Sequence, residues 1–78
     1  MPTVLRSGPY RVFFYSDEGT EPPHVHVVSG RSEAKYWIDP VRDVWSRGFA
    51  AHERTRIRRI LVQHEARIRE AWDEHFGT

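Results

Sequence analysis

Two patterns of apolar and polar residues divide this chain. Alternation dominates residues 3–45, whereas apolar residues recur every three or four positions in residues 51–76. Side chains alternate between the faces of a strand and recur every 3.6 residues on a helix, so the patterns predict strands and then a helix. The predicted strands cover residues 3–6, 10–16, 24–28, 32–38 and 41–45. We therefore predict an α+β fold, in which a helix packs on one face of an antiparallel sheet of four or five strands.

The helical segment is long for so short a chain. Residues 51–76 contain neither Pro nor Gly, and Gly77 is a favourable helix stop. We predict one helix, about 37 Å long if it is straight, or bent. Ala50 is the predicted N-cap, because Glu53 three residues later can bond back to the cap amide. The apolar stripe includes Ile57, Leu61, Ile68 and Trp72.

Length and composition restrict the protein class. The 78 residues suit one domain, with residues 1–46 forming the sheet region and residues 50–76 the helix. The absence of Cys excludes disulfides and thiolate metal sites. A small chain has a limited core, so a homodimer or a partner protein would be a common way to enlarge it. No segment has the apolar length of a signal peptide or a membrane span, which predicts a cytoplasmic protein.

The most chemically distinctive stretch is Pro22-Pro23-His24-Val25-His26. On a strand His24 and His26 share one face, where the two imidazoles could ligate a metal ion. Such a site needs a further ligand, for which Glu33, His64 and His75 are candidates. Since no spacing fixes any of these three beside the pair, we assign no metal ligands and predict no cofactor. Whether the pair binds a metal ion stays open.

The same two imidazoles could instead divide proton donation and acceptance between them. Metal-independent ribonuclease chemistry would require, in addition, a cation that holds the phosphate. Arg11, Arg31 and Lys35 lie on predicted strands or turns that could border His24 and His26. An acid–base site is therefore one of two open interpretations of the pair.

Positive charge is concentrated near the helix N-terminus, although the net charge is only +1. The four arginines within six residues are Arg54, Arg56, Arg58 and Arg59. Glu53 can pair with Arg56, whereas the other three have no acidic partner three or four residues away in the helix. They could contact phosphates or an acidic partner, or they could pair with Asp39 or Asp43 across the fold.

Aromatic residues are predicted to fill the core and one outer patch. Trp37, Trp45 and Trp72 could form one cluster under the helix. If the helix covers the opposite face, Phe13 and Tyr15 face outward and leave a half-exposed aromatic patch.

Several of these elements together resemble the family called domain of unknown function 4160 (DUF4160), which consists of small bacterial proteins. They are Met1-Pro2-Thr3, Phe14-Tyr15-Ser16, Pro22-Pro23-His24-Val25-His26-Val27, Glu33-Ala34-Lys35, and His64 with Trp72. The resemblance implies a second small protein encoded by the neighbouring gene, as in a toxin–antitoxin pair. By analogy alone it also implies an RNA or translation target. The positions that match the family motif, and so become site candidates, are His24, His26, Glu33, Lys35 and His64.

Two functional hypotheses follow. The first is a binding module in a two-protein regulatory or toxin–antitoxin-like complex. It contacts its partner protein and could also contact RNA or DNA. Its candidate binding residues are Arg11, Arg31, Arg54, Arg58, Arg59 and His64. The alternative is a small ribonuclease, whose candidate catalytic residues are His24, His26, Glu33 and Lys35. Whether the protein is an enzyme stays open. Under either hypothesis, adjacent strands should bring His24 and His26 near Glu33 and Lys35, and His64 of the helix should close over them.

Overall fold

The fold is taken from a computed structural model, which describes residues 3–77. Met1 and Pro2 of the family motif lie outside the described residues, as does Thr78. The elements are β1 (Thr3–Ser7), β2 (Tyr10–Phe13), β3 (His24–Ser29), β4 (Ser32–Trp37), β5 (Arg42–Arg47), α1 (Ala51–Gln63) and α2 (Glu65–Phe76). The predicted α+β class is confirmed, with strands first and helices after them.

The strands form one antiparallel sheet in the order β1-β2-β3-β4-β5, so each strand pairs with its neighbour in sequence. Gly8 and Gly30 have φ of 57° and 60° in the β1–β2 and β3–β4 turns, a region that glycine enters without steric cost. In the register His26 faces Phe13 of β2 and Lys35 of β4, and Lys35 faces Trp45 of β5. These four side chains therefore form a row on one face of the sheet.

The core lies on the other face. Its strand residues are Tyr10, Val12, Val25, Val27, Ala34 and Tyr36, all at most 2% exposed. Ile57 and Leu61 of α1 and Ile68 of α2 belong to the same buried cluster. The apolar face of the sheet and the apolar stripe of the helical segment thus pack together in one core, as the sequence predicts.

The single long helix is a prediction that the structure corrects. The helical segment divides at His64, whose φ of −110° and ψ of 18° are not helical, so α1 and α2 are separate helices. The described chain spans 34 × 22 × 20 Å. A straight helix of about 37 Å would be longer than the longest of these dimensions. The break instead keeps both Leu61 and Ile68 buried.

The start of α1 follows the prediction. Ala50 is the N-cap, and its amide donates to Oε1 of Glu53 over 3.1 Å. Gly77 ends α2 in the left-handed region with φ of 71°. Among residues 3–77, no helix combines the length and apolarity needed to cross a membrane.

Candidate functional site

The site is built on the central strand. His24 and His26 lie two residues apart on β3, the third of five strands, and are 0% and 4% exposed. The strand period places both on the face opposite Val25 and Val27. Two polar rings are therefore held in the interior, where each needs a polar partner.

That partner is Glu18, in the loop between β2 and β3. Its Oε1 lies 2.9 Å from Nε2 of His24 and 3.1 Å from Nε2 of His26. Two turn contacts position Glu18, since its amide donates to the Tyr15 carbonyl and its carbonyl accepts from the Glu21 amide. One carboxylate oxygen thus meets both imidazoles.

The other nitrogen of each ring also faces an oxygen. Nδ1 of His24 donates to the Pro22 carbonyl over 2.9 Å. Nδ1 of His26 lies 3.4 Å from Oε2 of Glu33, yet it makes no hydrogen bond of good geometry with the described residues. The two Nδ1 atoms face a carbonyl and a carboxylate, while the two Nε2 atoms converge on Glu18.

Aromatic rings surround the pair. Trp72 of α2 lies 5.0 Å from His24 and Trp37 lies 5.8 Å from it, measured between ring centroids. The rings around His26 are Phe13 at 5.6 Å, Tyr15 at 4.7 Å and Trp45 at 6.1 Å. The three tryptophans therefore flank the histidines and do not form one cluster under the helices. Phe13, expected to be half-exposed, is 2% exposed because His26 and Tyr15 cover it.

The surroundings of the site shift the pKa values of Glu18 and Tyr15. Partial burial raises the pKa of Glu18, but the hydrogen bonds and charge that His24 and His26 provide outweigh it, so the pKa lies below its usual value. Burial, with smaller contributions from the charges of Glu33 and Glu18, raises the pKa of the Tyr15 hydroxyl. Glu18 is therefore a carboxylate at neutral pH.

The structure brings most of the predicted catalytic candidates together. His24, His26 and Glu33 meet as expected from neighbouring strands. Lys35 lies opposite His26, but its ammonium group contacts Glu21 at 2.7 Å and lies over the Trp37 ring. The ammonium group is thus already paired with a carboxylate.

His64 lies elsewhere than expected. It forms the junction of α1 and α2, and the helix residue that packs on His24 is Trp72. Trp72 lies on the buried face of α2, whereas His64 lies at the junction of the helices and is only half-buried.

The predicted binding arginines occupy separate regions. Arg11 donates to Thr3 Oγ1 and lies over the Phe13 ring, and Arg31 is exposed beside the β3–β4 turn. Arg58 pairs with Asp43 of β5 at 3.4 Å, which is one of the pairings considered from the sequence. Arg54 donates to Ser46 of β5 over 3.4 Å. Arg59 is exposed and has no ion pair with a residue in the described range 3–77.

Sequence reasoning missed Glu18. The only signal for it was the acidic stretch Asp17-Glu18 shortly before the Pro-Pro-His motif. A loop has no periodicity that assigns its side chains to a face, so this signal did not distinguish Glu18 from Asp17 or Glu21.

The fold and site define a small α+β protein with a buried carboxylate–histidine cluster on the central strand of a five-stranded sheet. The chain belongs to the family described as domain of unknown function (DUF4160), whose sequence model matches residues 10–73. The match includes β2 to β5 and most of the helical region, and with them Glu18, His24 and His26. No curated protein and no solved structure matches the chain.

Proposed function

We propose that this protein is a binding module that holds a partner protein along the outer edge of β5. The partner we favour is the small protein encoded by the neighbouring gene, in a regulatory or toxin–antitoxin-like complex. The observation that carries the proposal is the exposure of β5, the last strand of the sheet, in which every residue except Ser46 is exposed. An exposed strand edge is a template to which an extended segment of another chain can add.

The side chains of β5 fit this role. The large apolar residues exposed in the described chain are Val44 at 38%, Trp45 at 41% and Val62 at 55%. Two of them are adjacent on β5. An irregularity in the β4–β5 register falls beside them, between the pairs of Lys35 and Tyr36. Such exposed apolar side chains would be buried by a strand added at this edge.

The charge of the same region indicates the chemistry of the partner. Arg42 and Arg47 lie on β5, and Arg47 is 72% exposed even though it approaches Glu33 at 3.7 Å. Arg54 and Arg58 extend from α1 toward β5 through Ser46 and Asp43. An acidic, partly apolar segment would complement this surface. Nucleic acid is the other class of ligand that four arginines could attract.

The two proteins should be co-expressed and the binding of the purified partner measured by calorimetry. We expect Val44→Glu to weaken binding at least tenfold, since it places a buried charge in the interface and repels an acidic segment. Val62→Glu is the matched control, with the same exchange at an exposed position on α1, and should bind like the wild type.

Three outcomes would overturn the proposal. In the first, the partner binds the wild type and Val44→Glu with equal affinity. In the second, the chain associates only with a second copy of itself. In the third, it binds a labelled RNA or DNA oligonucleotide but not the partner. Sedimentation of the chain alone and fluorescence anisotropy of the oligonucleotides distinguish the last two.

The ribonuclease hypothesis receives less support. It requires His24 and His26 to line an open cleft beside a free cation, whereas both rings are buried and Lys35 is paired with Glu21. RNA integrity after expression of the wild type and a His24→Ala/His26→Ala variant would test it directly.

A further inference from the structure

The donor atoms of Glu18, His24 and His26 are arranged like the ligands of a metal ion. One ligand atom each from Glu18, His24 and His26 lies within 4.8 Å of the other two. Ligand atoms bound at about 2.1 Å, with about 90–110° between them, lie about 3.0–3.4 Å apart. The Glu18 oxygen lies 2.9 and 3.1 Å from the two imidazole nitrogens. The separation of 3.1 Å falls within this range and that of 2.9 Å lies just below it, and both also suit hydrogen bonds.

The position of the ring proton on His24 favours a bound cation. A carbonyl oxygen can only accept, so the contact with Pro22 places the ring proton on Nδ1. In a neutral ring Nε2 then carries a lone pair, and it faces the carboxylate oxygen of Glu18 at 2.9 Å. Two lone pairs at this distance repel unless both bind one cation. The cation is either an extra proton or a metal ion.

The protons of His26 are less restricted. Its Nδ1 lies 3.4 Å from Oε2 of Glu33 but makes no hydrogen bond of good geometry with the described residues, so Nε2 of a neutral ring can either donate to Glu18 or direct its lone pair there. Without a metal ion, the contacts of Glu18 therefore require an extra proton on His24, which is 0% exposed. A charged ring is more costly to bury than a neutral one. One divalent ion would accept both lone pairs and the carboxylate while both rings stay neutral.

The group behind one ligand also matches metal centres. Histidine ligands usually donate their second N–H to a carbonyl or a carboxylate, which fixes the tautomer and orients the ring. The Pro22 carbonyl accepts from Nδ1 of His24 in this way. Oε2 of Glu33 lies 3.4 Å from Nδ1 of His26, near the corresponding position but without a hydrogen bond of good geometry. The aromatic residues around the rings limit the access of water. These contacts are independent of the convergence of the three ligand atoms.

We propose that Glu18, His24 and His26 bind one divalent first-row transition-metal ion. Two imidazoles and one carboxylate suit Zn²⁺, Fe²⁺ or Co²⁺ and do not suit Mg²⁺, which prefers oxygen ligands. Three protein ligands leave at least one coordination position for water or for a small ligand. The site is formed by β3 and the loop before it, so it does not depend on the β5 interface proposed above.

The test uses the full chain, purified without a histidine tag and treated with a chelator. Calorimetry with Zn²⁺ should give one ion per chain, and Mg²⁺ should give no heat of binding. Co²⁺ should produce visible absorption bands that report coordination directly. Glu18→Gln keeps the size of the side chain but removes the charged ligand, and should weaken Zn²⁺ binding about a hundredfold.

Two matched variants control for other contacts. Glu21→Gln makes the same exchange in the same loop, and His52→Gln removes an exposed histidine of α1; both should retain the affinity of the wild type. Circular dichroism of Glu18→Gln without metal verifies that it folds. The proposal is overturned if the wild type binds no Zn²⁺ at micromolar concentration. It is equally overturned if Glu18→Gln binds as tightly as Glu21→Gln, or if His52→Gln abolishes binding.

Discussion

Oε1 of Glu18 lies 2.9 Å from Nε2 of His24, so a loop carboxylate closes over a histidine that is fully buried on the central strand. The same oxygen reaches His26. The contact links the β2–β3 loop to the sheet at the first residue of β3. The contribution of this contact to the free energy of unfolding can be measured in the absence of a ligand.

Glu18→Ala should lower the free energy of unfolding by about 1–3 kcal/mol, because it leaves two buried imidazole nitrogens without a partner. Urea denaturation in the presence of a chelator measures this loss. Glu21→Ala is the control, since Glu21 is 41% exposed and pairs with Lys35 near the surface. A surface ion pair contributes about 0–1 kcal/mol, and the loss for Glu21→Ala should lie at the upper end of this range because Lys35 is only 12% exposed. Equal losses for the two variants would contradict a special role for Glu18.

Tyr36 carries a buried hydroxyl that finds no hydrogen-bond partner among the described residues. Burial, followed by the charge of Asp43, raises the pKa of Tyr36 to about 12. The raised pKa means that the folded state disfavours tyrosinate, so this contribution to stability is fully present below pH 10 and is lost as the pH rises from about 10 through about 12.

Tyr36→Phe should therefore be neutral or slightly stabilising at pH 7, and it should reduce the loss of stability between pH 10 and 12. Thermal melts across that range measure the effect. Tyr15→Phe is a useful comparison, since Tyr15 is only half-buried. A marked destabilisation by Tyr36→Phe at pH 7 would show that its hydroxyl is satisfied after all.

Gly48 joins β5 to α1 with φ of 88°, and a Cβ placed there would lie 2.5 Å from Oγ and 3.2 Å from Cα of Ser32. Gly8 has φ of 57° and nothing within 4 Å of its added Cβ. Gly8→Ala should cost about 1 kcal/mol from backbone strain alone. Gly48→Ala adds the clash, so we expect a cost of more than about 2 kcal/mol.

Chemical denaturation of the two alanine variants gives the comparison directly. If Gly48→Ala loses no more stability than Gly8→Ala, Ser32 can move aside without cost and the close packing at this junction is not required.

Ala50 is a poor N-cap, because its side chain cannot accept a hydrogen bond and Glu53 supplies only the return bond to the cap amide. Ala50→Ser should stabilise the protein by about 0.5–1 kcal/mol. Ala71→Ser is the control in the middle of α2, where serine is a weaker helix former than alanine and should be mildly destabilising. A melting temperature that rises for Ala50→Ser and falls for Ala71→Ser would match both expectations.

The local structure follows from the pattern of apolar and polar residues. The change from a period of two to a period near 3.6 placed five strands before the helical region, and Glu53 three residues after Ala50 indicated the N-cap. The same alternation put His24 and His26 on one face, since two residues on a strand share a face whatever surrounds them. Neighbouring strands then brought Glu33 beside His26.

The remaining features depend on long-range packing. The break at His64 has no Pro or Gly to mark it, and the helices on either side of it bury Leu61 and Ile68. Glu18 lies in a loop, where no period assigns a direction to a side chain, and long-range packing against β3 selected it over Asp17 and Glu21. The sequence thus fixes which residues share a face, while the path of loops and the direction of α2 depend on the burial of the whole core.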